Sequence, residues 1–518
     1  FISLIANSQE NPIVMSFTPE TYGAESQNWG ITQTDNEFMY FANNSGLLEF
    51  NGSSWKLYPV PDNQINNSIV RSVKAVGDKI FSGSYMDFGI WSRNKYGNLD
   101  YESIPHKLGI LVQEEEQFWN IEVVDNLILF QSLSRIYIID LQKSLVTIIE
   151  SDDEISKIFN VDGVIYFTKK NKGVYKILNG DTILVSNSTK IMYSKIVGIS
   201  KIDNKLVFIT NNKGVIYSFL KLKDSSLVLG TISNGIIHLN VDGSLKYNID
   251  FEKGLNNNTI LSLFQDKKDD LWLGLDIGVS HVNLSSRFGT YNDSSGQIGT
   301  VYASIIYDNH LYLGTNQGLF IKQKDFDGPF NFIAGTSGQV WKLKMIDNLL
   351  FCGHNKGTLI IENQRIKTRI FDANGSWDFK KIRNTNLILQ GNYKGLHVLE
   401  KSSDKWSYSH KIEGFDISSR FFQIFNNIVY VNHELRGFFK LELSNDMKTL
   451  KNYSLIDSIE KGSGSNFIKF LDEYLYSSSN GFYRLEKASM KAQIYLNSPE
   501  LRNGPTRSTW TLSKSRVA

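Results

Sequence analysis

Turn glycines recur along this chain at a nearly constant interval, and that interval restricts the fold more than any other feature. Gly46, Gly89, Gly173, Gly214, Gly235, Gly278, Gly318, Gly357, Gly395, Gly437 and Gly481 each lie between short apolar runs. From Gly235 onward the steps are 43, 40, 39, 38, 42 and 44 residues. Gly89 to Gly173 is 84 residues, a double step containing one copy with Arg135 beside the expected glycine. The stretch "TILSLFQDKKDDLWLGLDIGVSHVNL" from Thr259 displays the unit: an apolar strand, a charged turn, an aromatic-rich strand, a turn ending in glycine, and a third apolar strand. Glycine supplies the positive φ that such tight turns require. Alternation within the runs buries one face, and 9 Trp, 24 Tyr and 32 Phe suit pleated packing. No long 3.6-residue periodicity competes. A period near 40 made of strands predicts four-stranded propeller blades.

Seven such units end near Phe288, "RFGTYNDSSGQIGT" interrupts, and further units follow. Rings typically hold 4–8 blades, so 518 residues read as an all-β chain of two tandem β-propellers of about seven four-stranded blades each. The first spans 9–288 and the second 289–518, the second incomplete in this chain. One place breaks the register. Gly214 to Gly235 is only 21 residues, and "NNKGVIYSFLKLKD" runs from a third strand straight into the first strand of the next blade. A half-blade leaves an unpaired edge, so residues are expected to be missing between about 214 and 216. The same is expected near the C-terminus, where "STWTLSKSRV" arrives early.

Composition removes several functions. With 55 basic and 53 acidic residues spread evenly, the chain lacks the basic stripe of a nucleic-acid-binding surface. The single cysteine, Cys352, excludes an internal disulfide and a cysteine-based zinc site, and in "LFCGHN" it reads as a small buried strand residue. No apolar run approaches the ~20 residues of a membrane helix, so any membrane contact belongs to segments outside this chain. The opening "FISLIANSQENP" reads as the tail of a secretory signal ending at residue 8, in preference to a first strand. That places the protein in the periplasm. GxSxG, HExxH, P-loop and GxGxxG motifs are absent and the eight histidines are scattered, so no catalytic residue, metal or cofactor is expected and the chain reads as a non-enzyme.

Topology selects a binding face. Successive strands of a blade run antiparallel, so loops joining second to third strands emerge with the loops joining one blade to the next. In the second propeller this face carries His354, Asn355, Asn392, Tyr393, His433 and Glu434, with Trp341, Trp377, Asp378 and Arg420 close by. In the first, Tyr85 and Asp87 occupy the same turn. Aromatic platforms beside amides, carboxylates and arginine suit sugar recognition, because rings stack on apolar sugar faces while polar groups read hydroxyls.

The segments "NNNTILSLFQDKKDDLWLGLDIGVSHVN", "QNWGITQTDNEFMYFANNSGLLEFNGSSWKLY", "GTVYASIIYDNHLYLGTNQGLF" and "KIEGFDISSRFF" give the chain a family likeness. It resembles the two-component-regulator propeller repeat of Bacteroidota sensors, nearest to the N-terminal periplasmic region of membrane-anchored LuxR-type regulators with a triple-tyrosine sandwich. Sensors of hybrid two-component systems are related. The resemblance implies a periplasmic sensor that detects a glycan fragment or a partner protein of the envelope, with homodimerisation and an output domain outside this chain. The alternative is an interaction scaffold of an envelope machine such as type IX secretion.

Overall fold

The computed structural model describes residues 11–496 apart from 62–68, 179, 203, 212–214, 287, 292–295, 325–328, 374, 458, 460, 463, 471–472, 479–480 and 487–491. The proposed signal remnant, the 214–216 junction at Gly214 and the "STWTLSKSRV" piece therefore fall outside the described residues. Contacts divide the chain into two compact units, Phe1–Ser294 and Ser295–Ala518.

The stretch from Thr259 shows why each unit is built from hairpins. Its strands are Ile260–Gln265, Leu271–Leu275 and Val279–Asn283. The charged turn between the first two is an aspartate cage. Asp266 accepts from the Lys268 and Asp270 N–H groups at 2.9 Å and from Trp272 Nε1 at 3.0 Å. Asp270 reaches across to accept from the Leu284 N–H at 2.9 Å. The second turn closes at Gly278, whose φ is 96°, a region costly for any residue with a Cβ. Most of the turn glycines share this positive φ, but Gly89 does not: it lies inside the strand Phe88–Arg93, and Met86 takes the left-handed turn with φ 57°.

Among the described residues unit 1 contains six four-stranded sheets and one two-stranded sheet. Their inner strands pack side by side in sequence until the last, Ile260–Gln265, meets the first, Asn28–Gln33. The result is a closed propeller. Closure is made by the N-terminal strand Ile13–Phe17, which pairs antiparallel with Val279–Asn283 and supplies the outer strand of the last blade. The sequence reading had no role for this strand, because its partner lies over 260 residues away.

The two-stranded sheet, Lys195–Ile202 with Lys205–Asn211, sits where the repeat is short. Ile216–Lys221 is the inner strand of the next four-stranded blade, as the sequence reading has it, but no third strand precedes it among the described residues. The 21-residue step leaves room for only one hairpin. Unit 2 contains five four-stranded sheets among the described residues, with inner strands beginning at Val301, Val340, Ser376, Phe421 and Asn466.

The core lies between neighbouring blades. Tyr40, Ala42 and Leu47 of one sheet pack on Val70, Val73 and Ile80 of the next. Cys352 is fully buried in the strand Leu349–His354, and burial pushes its thiol up to about 12. Among the described residues no helix is long and apolar enough to cross a membrane.

Candidate functional site

Most inner strands begin with the same irregularity. One residue near the start has no partner across the ladder: Trp29, Arg71, Ser156, Val197, Tyr217 and Leu261 in unit 1. In unit 2 the residues are Tyr302, Trp341 and Trp377. A β-bulge bends the strand and re-aims the extra side chain. In the third blade of unit 1, which has no bulge, Trp119 just ahead of the strand takes the same place, its N–H donating to Gln131 O at 2.9 Å. These residues converge.

In unit 2 they build a row of rings. The centroids of Tyr302 and Trp341, and of Trp341 and Trp377, are 4.7 Å apart, and Trp377 lies 4.8 Å from Tyr393. Trp341 Nε1 donates to Tyr393 OH at 2.9 Å, and Trp377 Nε1 donates to Ser418 Oγ at 3.1 Å. Arg420 caps the row, its guanidinium carbon 5.1 Å from the Trp377 ring and 4.9 Å from that of Phe421. Trp341, Trp377 and Tyr393 are half-buried, while Tyr302 and Arg420 are exposed. Four of the residues expected at a binding face are thus one cluster.

The others serve the framework. His354 is buried, its Nε2 3.2 Å from Thr336 O and its Nδ1 accepting from the Lys356 N–H. Asn355 clasps the neighbouring blade: its N–H donates to Gln339 O and its carbonyl accepts from the Gly375 N–H, both at 2.9 Å. Asn392 is buried, with its Oδ1 accepting from Gln390 Nε2. His433 Nδ1 accepts from the Leu435 and Arg436 N–H groups, and Glu434 is half-buried in the same turn. Asp378 is buried beneath the cluster with Lys380 Nζ at 3.0 Å and Lys342 Nζ at 3.8 Å. Burial alone would raise its pKa, but Lys380, Lys342 and Lys344 outweigh that and hold it below the ordinary carboxylate range. In unit 1, Asp87 is buried and accepts from Tyr101 OH and Ser103 Oγ, and Tyr85 makes an isolated backbone bridge to Gln117.

The unit 1 residues missed by the sequence reading surround a cavity of about 550 Å³. Trp29, Arg71, Trp119, Ser156, Tyr217 and Leu261 all line it. The Arg71 guanidinium carbon is 4.9 Å from the Trp29 ring and 4.8 Å from the Trp119 ring. The signal was present in the repeat: "QNWGI", "IVRSV", "QFWNI", "VIYSF", "TVYAS", "QVWKL" and "GSWDF" place one large or charged side chain in one column.

Asp266, Asp270 and His281 bring ligand-type atoms within 4.8 Å of one another. Both aspartates are already committed to the turn described above, so the group reads as part of the blade.

No family model matches the sequence, and no curated protein does. Among solved structures, the chain superposes on the extracellular domain of the hybrid two-component system BT3049 from B. thetaiotaomicron with a TM-score of 0.65 at 15% identity. The match covers 94% of this chain and 73% of that one. The likeness is one of fold. Two structures of the extracellular domain of BT4673 from the same organism cover 95% and 94% of this chain, and 74% and 78% of theirs, at 15% and 14% identity with TM-scores of 0.43.

Proposed function

We propose that this chain is the ligand-sensing region of an exported envelope receptor, and that it recognises an oligosaccharide at the ring cluster of unit 2. The observation that carries the reading is the row Tyr302, Trp341, Trp377 and Tyr393 capped by Arg420. Buried rings would be core, but these keep part of their faces toward solvent while the Trp341 N–H is tied to Tyr393 OH and the Trp377 N–H to Ser418 Oγ. The cluster is therefore preorganised, and little ordering remains to be done on binding. A sugar ring stacks on such faces while Arg420 offers a fork of donors. The shared fold with an extracellular two-component domain supports a sensing role, as does the resemblance of the repeat to regulator propellers. On this reading the chain performs no chemistry; it reports occupancy to a membrane-anchored transcriptional output outside it.

Titration calorimetry with neutral and acidic oligosaccharides tests the proposal. Binding to the intact chain, weakened about tenfold by Arg420→Ala, is the expected outcome. The melting temperature of that variant should stay nearly unchanged, because an exposed arginine contributes little to stability. Absence of binding across the panel would remove the sensing reading, and binding indifferent to Arg420→Ala and Trp377→Phe would remove this cluster as its site.

A further inference from the structure

We propose that the cavity of unit 1 is a separate binding site, selective for a small anion that carries a carboxylate or sulfate on a flat apolar body. Its volume of about 550 Å³ lies within the ~300–1,000 Å³ of small-molecule sites. The charge on its walls is one-sided. Arg71, Lys157, Lys169, Lys170 and Lys195 line it against a single carboxylate, Glu154. Glu154 is already engaged, with Lys170 Nζ at 2.6 Å. Among the described residues, no carboxylate lies within ion-pair distance of Arg71, Lys157 or Lys195. In a chain whose charges otherwise nearly balance, this concentration is local.

Arg71 is the centre of the site. Its Nε donates to Gln117 Oε1 at 2.9 Å and its Nη1 to Asn44 Oδ1 at 3.1 Å, both neutral acceptors. The Trp29 and Trp119 rings hold the guanidinium in place, and Nη2 has no protein partner among the described residues. A half-buried cation fixed in this way, with donors to spare, lacks only its anion, since buried charges are ordinarily paired. Burial depresses the pKa of Arg71 and Lys157, which an incoming anion would reverse. One further donor has no protein partner: Thr168 Oγ1, a hydroxyl on a buried side chain that also lines the cavity. Trp29, Trp119 and Tyr217 supply the apolar faces. Lys195, lying 5.1 Å from the Tyr217 ring, is exposed at the rim and can steer an anion inward.

The test uses the intact chain, with galacturonate oligomers, a sulfated disaccharide and neutral galactose oligomers of matched length as probes. Binding of an acidic probe, absent for the neutral one and weakening as salt rises, is expected. Which acidic arm binds identifies the anion as carboxylate or sulfate. Arg71→Gln should weaken that binding about ten- to a hundredfold, as loss of a charged hydrogen-bond partner does, and Lys195→Ala, which removes a rim charge, about two- to fivefold. Arg420→Ala should leave it unchanged. If Arg71→Gln fails to fold, Lys195→Ala and the salt dependence decide, because Lys195 is exposed. The proposal is overturned if no acidic probe binds more tightly than about 10 mM, or if binding ignores both unit 1 variants. Acidic binding that is lost in Arg420→Ala but kept in Arg71→Gln and Lys195→Ala would sink this site while leaving the unit 2 reading intact.

Discussion

Gly274, the glycine of "LWLG", is a test of how tightly the blades of unit 1 close on one another. Its φ is not in the left-handed region, so an alanine there meets no backbone objection. What it meets is its own cross-strand partner, Ser262, and the backbone of the neighbouring blade. A Cβ at this position would lie 2.2 Å from Ser262 Oγ and 2.4 Å from the carbonyl oxygen of Asn28. The serine hydroxyl can rotate away, but the Asn28 oxygen belongs to the backbone at the very bulge that aims Trp29. Relief to an ordinary contact requires the inner strand Asn28–Gln33 to retreat by about 1 Å, an overpacking strain of the kind that costs about 1–3 kcal/mol. The 2.4 Å contact is with backbone, which puts the strain in the upper part of that range, about 2–3 kcal/mol. Loss of glycine's unfolded-state freedom returns up to about 1 kcal/mol, leaving a net destabilisation of about 1–2 kcal/mol for Gly274→Ala. For a unit of this size that is a fall in melting temperature of about 2–4 °C. Urea unfolding should show the loss, and Ser262→Ala in the same chain should rescue little of it. A Gly274→Ala protein as stable as the parent, or more stable, would refute the claim that inter-blade approach dictates this glycine.

Two other outcomes follow from the geometry. Phe17 joins the closing strand to both of its neighbours, with ring centroids 5.4 Å from Phe50, 5.2 Å from Trp55 and 6.1 Å from Trp272. Because Phe17 is half-buried, Phe17→Ala should cost about 2–3 kcal/mol, and hydrogen exchange should accelerate first at Ile13–Phe17 and Val279–Asn283. Asp378 has a folded-state pKa below its unfolded value, so its stabilisation is complete above about pH 4 and is lost as pH falls through the depressed folded value. Asp378→Asn should therefore lower stability at pH 7 and flatten the acid limb below about pH 4, checked by denaturation midpoints across that range; an unchanged acid limb would exclude the lysine cluster as its cause.

The blade was legible because its signals are local. A positive φ at a hairpin turn, an aspartate cage and a 2-residue alternation each act within a few positions of the residues that encode them. Ring closure was not legible, since Ile13–Phe17 has the pattern of any strand and nothing nearby names Val279–Asn283 as its partner. At the candidate site, residue type alone led to Trp341, Trp377, Tyr393 and Arg420, which the fold gathers. The same criterion also led to His354, Asn392 and Asp87, which are buried and bound to backbone and neighbouring side chains through His354 Nδ1, Asn392 Oδ1 and both Asp87 carboxylate oxygens. Sequence cannot separate a turn residue that satisfies its own framework from one left facing solvent. Trp29, Arg71 and Trp119 lie outside the turns; the fold aims them from the starts of inner strands, where apolar alternation gives no sign that one residue leaves the ladder.

The repeated bulge has a consequence for how such a molecule changes over time. A residue outside the ladder register contributes no cross-strand pair, so its identity is less tied to the pairing that holds each sheet, although Val197 and Leu261 are buried and Trp29 packs on the core beside it. Most blades thereby contribute one letter to a short word read at the mouth of their unit, and the letters facing solvent can be exchanged singly. Tyrosine, tryptophan, arginine, serine, valine and leucine already appear in that column within this one chain. Selectivity can then drift from one ligand to another by substitutions that leave the architecture untouched, and two proteins with the same fold need share almost none of the word.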